Sequence, residues 1–99
     1  VKLRNTATGA TSEMACDGVF MAIGHAPNTK ILRGKLALDD KGYVVTRPGS
    51  TYTSVPGVFA CGDVRLSPVK RVAAAVGEGS MAIAFVHQYL KELDAQAER

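Results

Sequence analysis

Val1-Lys-Leu-Arg4 alternates apolar and basic positions with a period of two, the mark of a short strand. Thr6 to Ser12 is small, polar and glycine-containing, which predicts a hairpin loop. Val19-Phe-Met-Ala-Ile23 is an unbroken apolar run of five, the pattern of a strand buried on both faces. It stops at Gly24-His-Ala-Pro-Asn-Thr29, where Pro27 removes a backbone donor and biases Ala26 away from helix.

The pattern then shortens. Lys30–Gly34 has room for one helical turn, Leu36–Leu38 for a short extended piece, and Asp39-Asp-Lys-Gly42 is a turn. Tyr43-Val-Val-Thr46 is strongly β-prone, and Arg47–Thr53 is a polar loop. Val58-Phe-Ala-Cys61 reads as a second short buried strand, ending at Gly62-Asp63. Beyond it, Ser67 is placed to cap a helix and Pro68 to occupy its first position. Val72, Val76, Ile83, Val86, Leu90, Leu93 and Ala97 then mark one helical face, with Ala75, Ala82, Phe85 and Tyr89 as a second stripe, so the first half of this helix is expected to be buried on two sides. Gly77 and Gly79 each cost about 1 kcal/mol against Ala in a helix, so they predict a close approach by backbone or ligand. The charges past Lys91 mark a solvated end.

Composition narrows the class. With 46% hydrophobic and 21% charged residues, the 99-residue chain is neither disordered nor fibrous. A compact globule of this mass would expose roughly 5,400 Å², against about 15,000 Å² unfolded. The net charge of +3 is spread through loops with no run of three basic residues, which argues against a nucleic-acid or anionic-membrane surface. The Val72–Gln88 stretch is interrupted by Gly77, Glu78, Gly79, Ser80 and His87 and does not read as a membrane span. Cys16 and Cys61 form neither a disulfide framework nor a zinc site, so a reduced, cytoplasmic setting is expected. A start on strand-like residues, with neither Met nor a signal sequence, reads as part of something longer.

Chemistry concentrates in Pro56–Val64 and the helix that follows. A carboxylate just past a buried strand faces the crevice where open α/β sheets bind nucleotides, and it accepts hydrogen bonds from sugar or ribityl hydroxyls. Taken alone, Asp63 also reads as a turn residue capping its own loop. The helix start offers unpaired N–H groups and partial positive charge to an oxygen that gains negative charge.

Three blocks, Ala22–Thr29, Thr53–Val64 and Lys70–Ala82, resemble the low-molecular-weight (bacterial) thioredoxin reductases in order and spacing. The resemblance covers essentially the whole chain and matches the C-terminal third of those enzymes. It implies an α/β fold: a fragment of a flavoprotein with two Rossmann-like domains, in which an NADPH domain interrupts an FAD domain. Residues 1–23 would be the last strands of the NADPH domain, 24–30 a crossing, and 31–99 the closing part of the FAD domain. Gly62 and Asp63 would then lie on the ribityl chain of FAD. Arg71, Val72 and Ala73 would lie near the pyrimidine edge of the flavin, their N–H groups stabilising the reduced anion. The family commonly has Gln where this chain has Val72, which leaves only backbone contact there.

For the remaining candidates the sequence favours structural roles. Cys61 reads as a small buried apolar residue. His25 reads as a loop residue fixing backbone through its ring, with general acid as the alternative, and His87 as a packed or half-exposed helix residue. No catalytic residue and no metal ligand set is assigned. A working enzyme of that family needs a Gly-x-Gly-x-x-Gly, a second glycine-rich turn, a site for the 2′-phosphate and a Cys-x-x-Cys, none of which is in these residues. The chain alone is therefore expected to be inactive, free of FAD and self-associating, a homo-oligomer. In the intact parent the resemblance implies NADPH as donor and thioredoxin as acceptor. The alternatives are a related pyridine nucleotide-disulfide reductase, a ferredoxin/flavodoxin–NADP reductase, or a non-catalytic self-associating module.

Overall fold

The computed structural model describes residues 1–98. Strands β1 (Lys2–Arg4) and β2 (Thr11–Glu13) form the expected hairpin, antiparallel with Leu3 opposite Ser12. Asn5 shapes its loop: the side-chain Oδ1 accepts from the N–H groups of Ala7 and Thr8, at 2.9 and 3.3 Å. The hairpin is closed further down by reciprocal bonds between the backbones of Val1 and Met14.

The Val19–Ile23 run corrects the strand reading. It has no regular structure, and Phe20 is 100% exposed. A strand buried on both faces needs a ladder neighbour on each edge and a layer above and below. Among the described residues nothing lies against this run, so its propensity has nothing to act on.

The core sits further along. Val44, only 1% exposed, bridges Leu38 in antiparallel fashion and Arg65 in parallel fashion. Its N–H donates to the Val64 carbonyl at 2.9 Å, and its carbonyl accepts from Leu66 at 2.8 Å. Tyr43 and Ala60 are also buried, as are Thr29, Thr51 and Thr53. The two β-prone runs are thus reduced to isolated bridges, two at Val44 and one between Tyr52 and Phe59. A turn at Asp39–Tyr43 leads into this patch, held by Asp39 Oδ1, which accepts from Tyr43 N–H at 2.7 Å.

Helix α1 (Val72–Ala97) starts later than the capping signal predicts. Ser67 Oγ instead accepts from the Val69 N–H at 3.3 Å, a local turn that competes with helix, and Arg71 occupies the cap position with extended backbone. Its packed face is the second apolar stripe. Ala75, Ala82, Phe85 and Tyr89 are partly buried, and Tyr52 links Phe59 to Phe85 with ring centroids 5.0 and 5.2 Å apart. The larger stripe is corrected: Val72, Val76, Ile83, Leu90 and Leu93 are exposed, and only Val86 of that series among the valines and leucines is half-buried. Gly77 and Gly79 meet nothing within 4 Å where a Cβ would stand, so the close approach expected there is not made among the described residues.

The molecule is elongated, with extents of 73 × 28 × 21 Å and a radius of gyration of 20.6 Å, where a compact chain of this length has about 13 Å. Its accessible surface of 8046 Å² lies well above the roughly 5,400 Å² of a self-contained globule.

Candidate functional site

The Gly62–Val64 segment forms a single 3-10 turn, preceded by extended backbone at Cys61. Gly62 has φ +82°, a left-handed conformation that a side chain would strain, and this reverses the chain between the Val58–Cys61 run and Asp63. Asp63 is exposed, and its carboxylate accepts no hydrogen bond from the described residues. The alternative in which it caps its own loop is therefore not what the geometry shows.

Asp63 borders a cleft of about 350 Å³. The His25–Asn28 loop, Tyr43, Val64 and Lys70 also line it. Lys70 lies with Nζ 4.1 Å from the Tyr43 ring centroid and donates to the Arg65 carbonyl at 3.0 Å. This fixes a cation on the cleft wall. Next to it, α1 begins without a side-chain cap. The first intrahelical bond runs from Ala75 N–H to the Arg71 carbonyl, leaving the N–H groups of Val72, Ala73 and Ala74 to outside acceptors. Arg71, Val72 and Ala73 are all exposed there.

Gly62 plays a different part from Asp63. Its N–H donates to Glu78 Oε2 at 2.6 Å, so the amide is already engaged and the residue shapes the turn. Glu78 Oε1 accepts from Arg65 Nη2 at 2.8 Å, and Arg65 Nη1 donates to Thr46 Oγ1 at 3.1 Å. The pair is well shielded, with side chains 14% and 21% exposed. The hydrogen bond from Arg65 holds the Glu78 carboxyl below the usual carboxylate range; burial opposes this, while the Gly62 amide and the charges of Arg65 and Lys70 reinforce it.

Sequence reasoning passed over Glu78 and Arg65. A signal was present: Ala75, Glu78, Ala82, Phe85 and Tyr89 recur at three- and four-residue steps, so a carboxylate occupies a position of the packed stripe. Charge at such a position requires a partner.

The other candidates are dispersed. His25 lines the cleft but makes no hydrogen bond to the described residues, and the loop is instead secured by buried Thr29, which donates to the Gly42 carbonyl. His87 is exposed, Cys61 is half-buried, and Cys16 is exposed and outside any strand. Among the described residues no group of His, Cys, Asp or Glu is arranged to hold a metal ion, and no helix is long and apolar enough to cross a membrane.

Residues 1–79 match the family model described as pyridine nucleotide-disulphide oxidoreductase. The chain is 48% identical over 96 residues to "Thioredoxin reductase 1, mitochondrial" of Arabidopsis thaliana, which covers 97% of this chain and 26% of that protein. It is 46% identical over 92 residues to the thioredoxin reductase of Rickettsia felis, covering 93% of this chain and 30% of the relative. Among solved structures, thioredoxin reductase from Streptococcus pyogenes superposes with a TM-score of 0.76 at 34% identity, over 92% of this chain and 29% of that one. The enzyme from T. acidophilum gives 0.73 at 35% identity, over 93% and 30%. The chain therefore spans under a third of the length of these relatives.

Proposed function

The chain belongs to the pyridine nucleotide-disulphide oxidoreductase family, and on that premise we propose that it forms the C-terminal part of an NADPH-dependent, FAD-containing thioredoxin-disulfide reductase. In this reading residues 1–23 close the NADPH domain, 24–30 cross between domains, and 31–99 close the FAD domain. The observation that carries the reading is the packing of the turn that holds the unengaged carboxylate of Asp63 against the uncapped start of α1, where a Cβ on Gly62 would lie 3.6 Å from that of Ala75.

These groups fit a flavin nucleotide. A sugar-like chain of hydroxyls needs acceptors, and Asp63 supplies two exposed carboxylate oxygens with no competing donor among the described residues. A pyrimidine edge needs donors, and the N–H groups of Val72 and Ala73 point out of the first helical turn. The Val72 side chain adds no polar contact, so its contribution comes through the backbone. The helix dipole and the Lys70 cation both favour an oxygen that gains negative charge, without any rearrangement at the moment of reduction. Bound flavin supplies the chemistry these residues lack, taking a hydride from a nicotinamide and delivering an electron pair to a disulfide. Arg71, exposed at the cap position, is available to a phosphate or an adjoining domain.

Thioredoxin is the proposed acceptor, in keeping with the relatives' names. Both cysteines are free thiols, which suits a reducing compartment such as the cytoplasm. The cysteine pair that would exchange with thioredoxin, and the glycine-rich turns for the two nucleotides, would come from the remainder of the longer reductase.

Substituting Asp63→Ala in the longer reductase is expected to strip flavin during gel filtration. Flavin content equal to that of the wild type would refute the assignment.

A further inference from the structure

We infer that Glu78 is a positioning residue for this flavin site: by clasping the Gly62 amide and the Arg65 guanidinium, it holds Asp63 in register with the first turn of α1. The inference rests on the reading of the site proposed above.

The recognition edge has two halves on different pieces of backbone. Asp63 belongs to the 3-10 turn, while the Val72 and Ala73 N–H groups belong to the helix. Glu78 joins them, because it sits on α1 and its carboxylate reaches back to the turn. Oε2 accepts from the amide of Gly62, immediately before Asp63, at 2.6 Å, and Oε1 accepts from Arg65, two residues after Asp63, at 2.8 Å. The chain is thus tied to one side chain on either side of the ligand-facing carboxylate.

The tie is needed for a local reason. Gly62 has no Cβ to limit its backbone, and at φ +82° the direction of its amide is set by whatever accepts from it. Glu78 is the acceptor. Without it, that amide faces the helix with no partner among the described residues, and Arg65 retains only Thr46 on Nη1, its buried Nε already lacking one. Glu78 does not line the cleft. It acts through Gly62 and Asp63.

The test uses the longer reductase freed of flavin and titrated with FAD by fluorescence quenching, with the melting of each apoprotein measured alongside. Glu78→Ala is expected to raise the flavin Kd by about tenfold or more, the scale of a lost charge-assisted hydrogen bond. Glu78→Gln keeps one acceptor for Gly62 but turns an NH2 toward Arg65, and should recover part of that affinity. Glu78→Asp keeps the charge near Arg65 but is one methylene short of Gly62, and should bind nearly as weakly as the alanine variant. It also decides the matter if Glu78→Ala does not fold. A lowered melting temperature with unchanged Kd in Glu78→Asp overturns the inference, since a merely structural role does that, and so does a glutamine variant as weak as alanine. If Asp63→Ala weakens binding while the Glu78 variants do not, the inference fails and the site stands. If none of the variants changes the Kd, both fail.

Discussion

Residues 1–26 and residues 27–98 are comparably rich in apolar side chains, yet they fold to different extents. Every residue of the first region is exposed, including the run at Val19–Ile23. The second region contains the buried patch at Tyr43, Val44 and Ala60, the aromatic cluster beneath α1, and the Glu78–Arg65 clasp. What separates them is not hydrophobicity but supply of partners. Among the described residues Val44 finds Leu38 on one side and Arg65 on the other, whereas Val19–Ile23 finds neither edge nor layer. Burial is a property of pairs, and half of a pair stays in water.

The sharpest way to break this contrast is to place a charge in each region. Val44→Asp should destabilise residues 27–98 by about 3 kcal/mol or more, because it buries an unpaired carboxylate at the centre of the patch. Urea unfolding followed by tyrosine fluorescence reads that loss. Phe20→Asp in the same chain, compared at a dilution that keeps both forms monomeric, should leave the unfolding curve in place, since Phe20 is fully exposed. A large loss from Phe20→Asp would mean that the first region does pack.

Self-association comes next. The exposed run at 19–23 and the outward stripe of Val72, Val76 and Ile83 should drive the isolated chain into oligomers. Light scattering should give a mass well above 10.4 kDa, falling with Phe20→Asp, and a clean monomer would remove the argument.

The clasp sharpens the comparison through pH. The carboxyl of Glu78 is held below its ordinary value, so its stabilisation is fully present above the unfolded carboxylate pKa of about 4.3 and is lost as pH falls through the lower folded value. Glu78→Gln should therefore cost about 1–2 kcal/mol at neutral pH, with the gap to wild type closing in acid. Parallel urea titrations at neutral and acid pH measure it. A gap that stays constant across that range would show that the ion pair contributes nothing.

The smallest effects separate the glycines. Gly57 has φ +82° and an added Cβ would lie 3.2 Å from the Tyr89 hydroxyl, so Gly57→Ala should cost about 1 kcal/mol. Gly77→Ala and Gly79→Ala meet open space in this chain and should each stabilise it by about 1 kcal/mol through helix propensity. In the longer reductase that gain should vanish if another segment packs there, and thermal melting of both forms distinguishes the two cases.

Much of the local structure was legible in residue order. The hairpin at 1–14, the turn at Asp39–Gly42 and the long C-terminal helix follow from alternation, turn chemistry and helical periodicity, all of which act over a few residues. The Gly62-Asp63 turn at the helix approach was legible for the same reason, and Asp63 is among the residues that line a cleft. What failed were judgements that depend on distant chain. Ser67-Pro68 carries a helix-start signal, but the backbone turns locally there and the helix waits until Val72. Two apolar stripes on α1 were visible, and nothing in their spacing said which would be covered.

The sequence by itself determined where the chain turns, where it is helical, and that a carboxylate would follow a glycine at the approach to a helix. Only the tertiary structure decided that Ala75, Phe85 and Tyr89 lie on the packed face, that Gly62 gives its amide to Glu78, and that Asp63 is left free beside the helix start. The physical reason is range. Turn and helix preferences are settled among near neighbours, whereas the Glu78 contact spans 16 residues and exists only once α1 has docked on the turn.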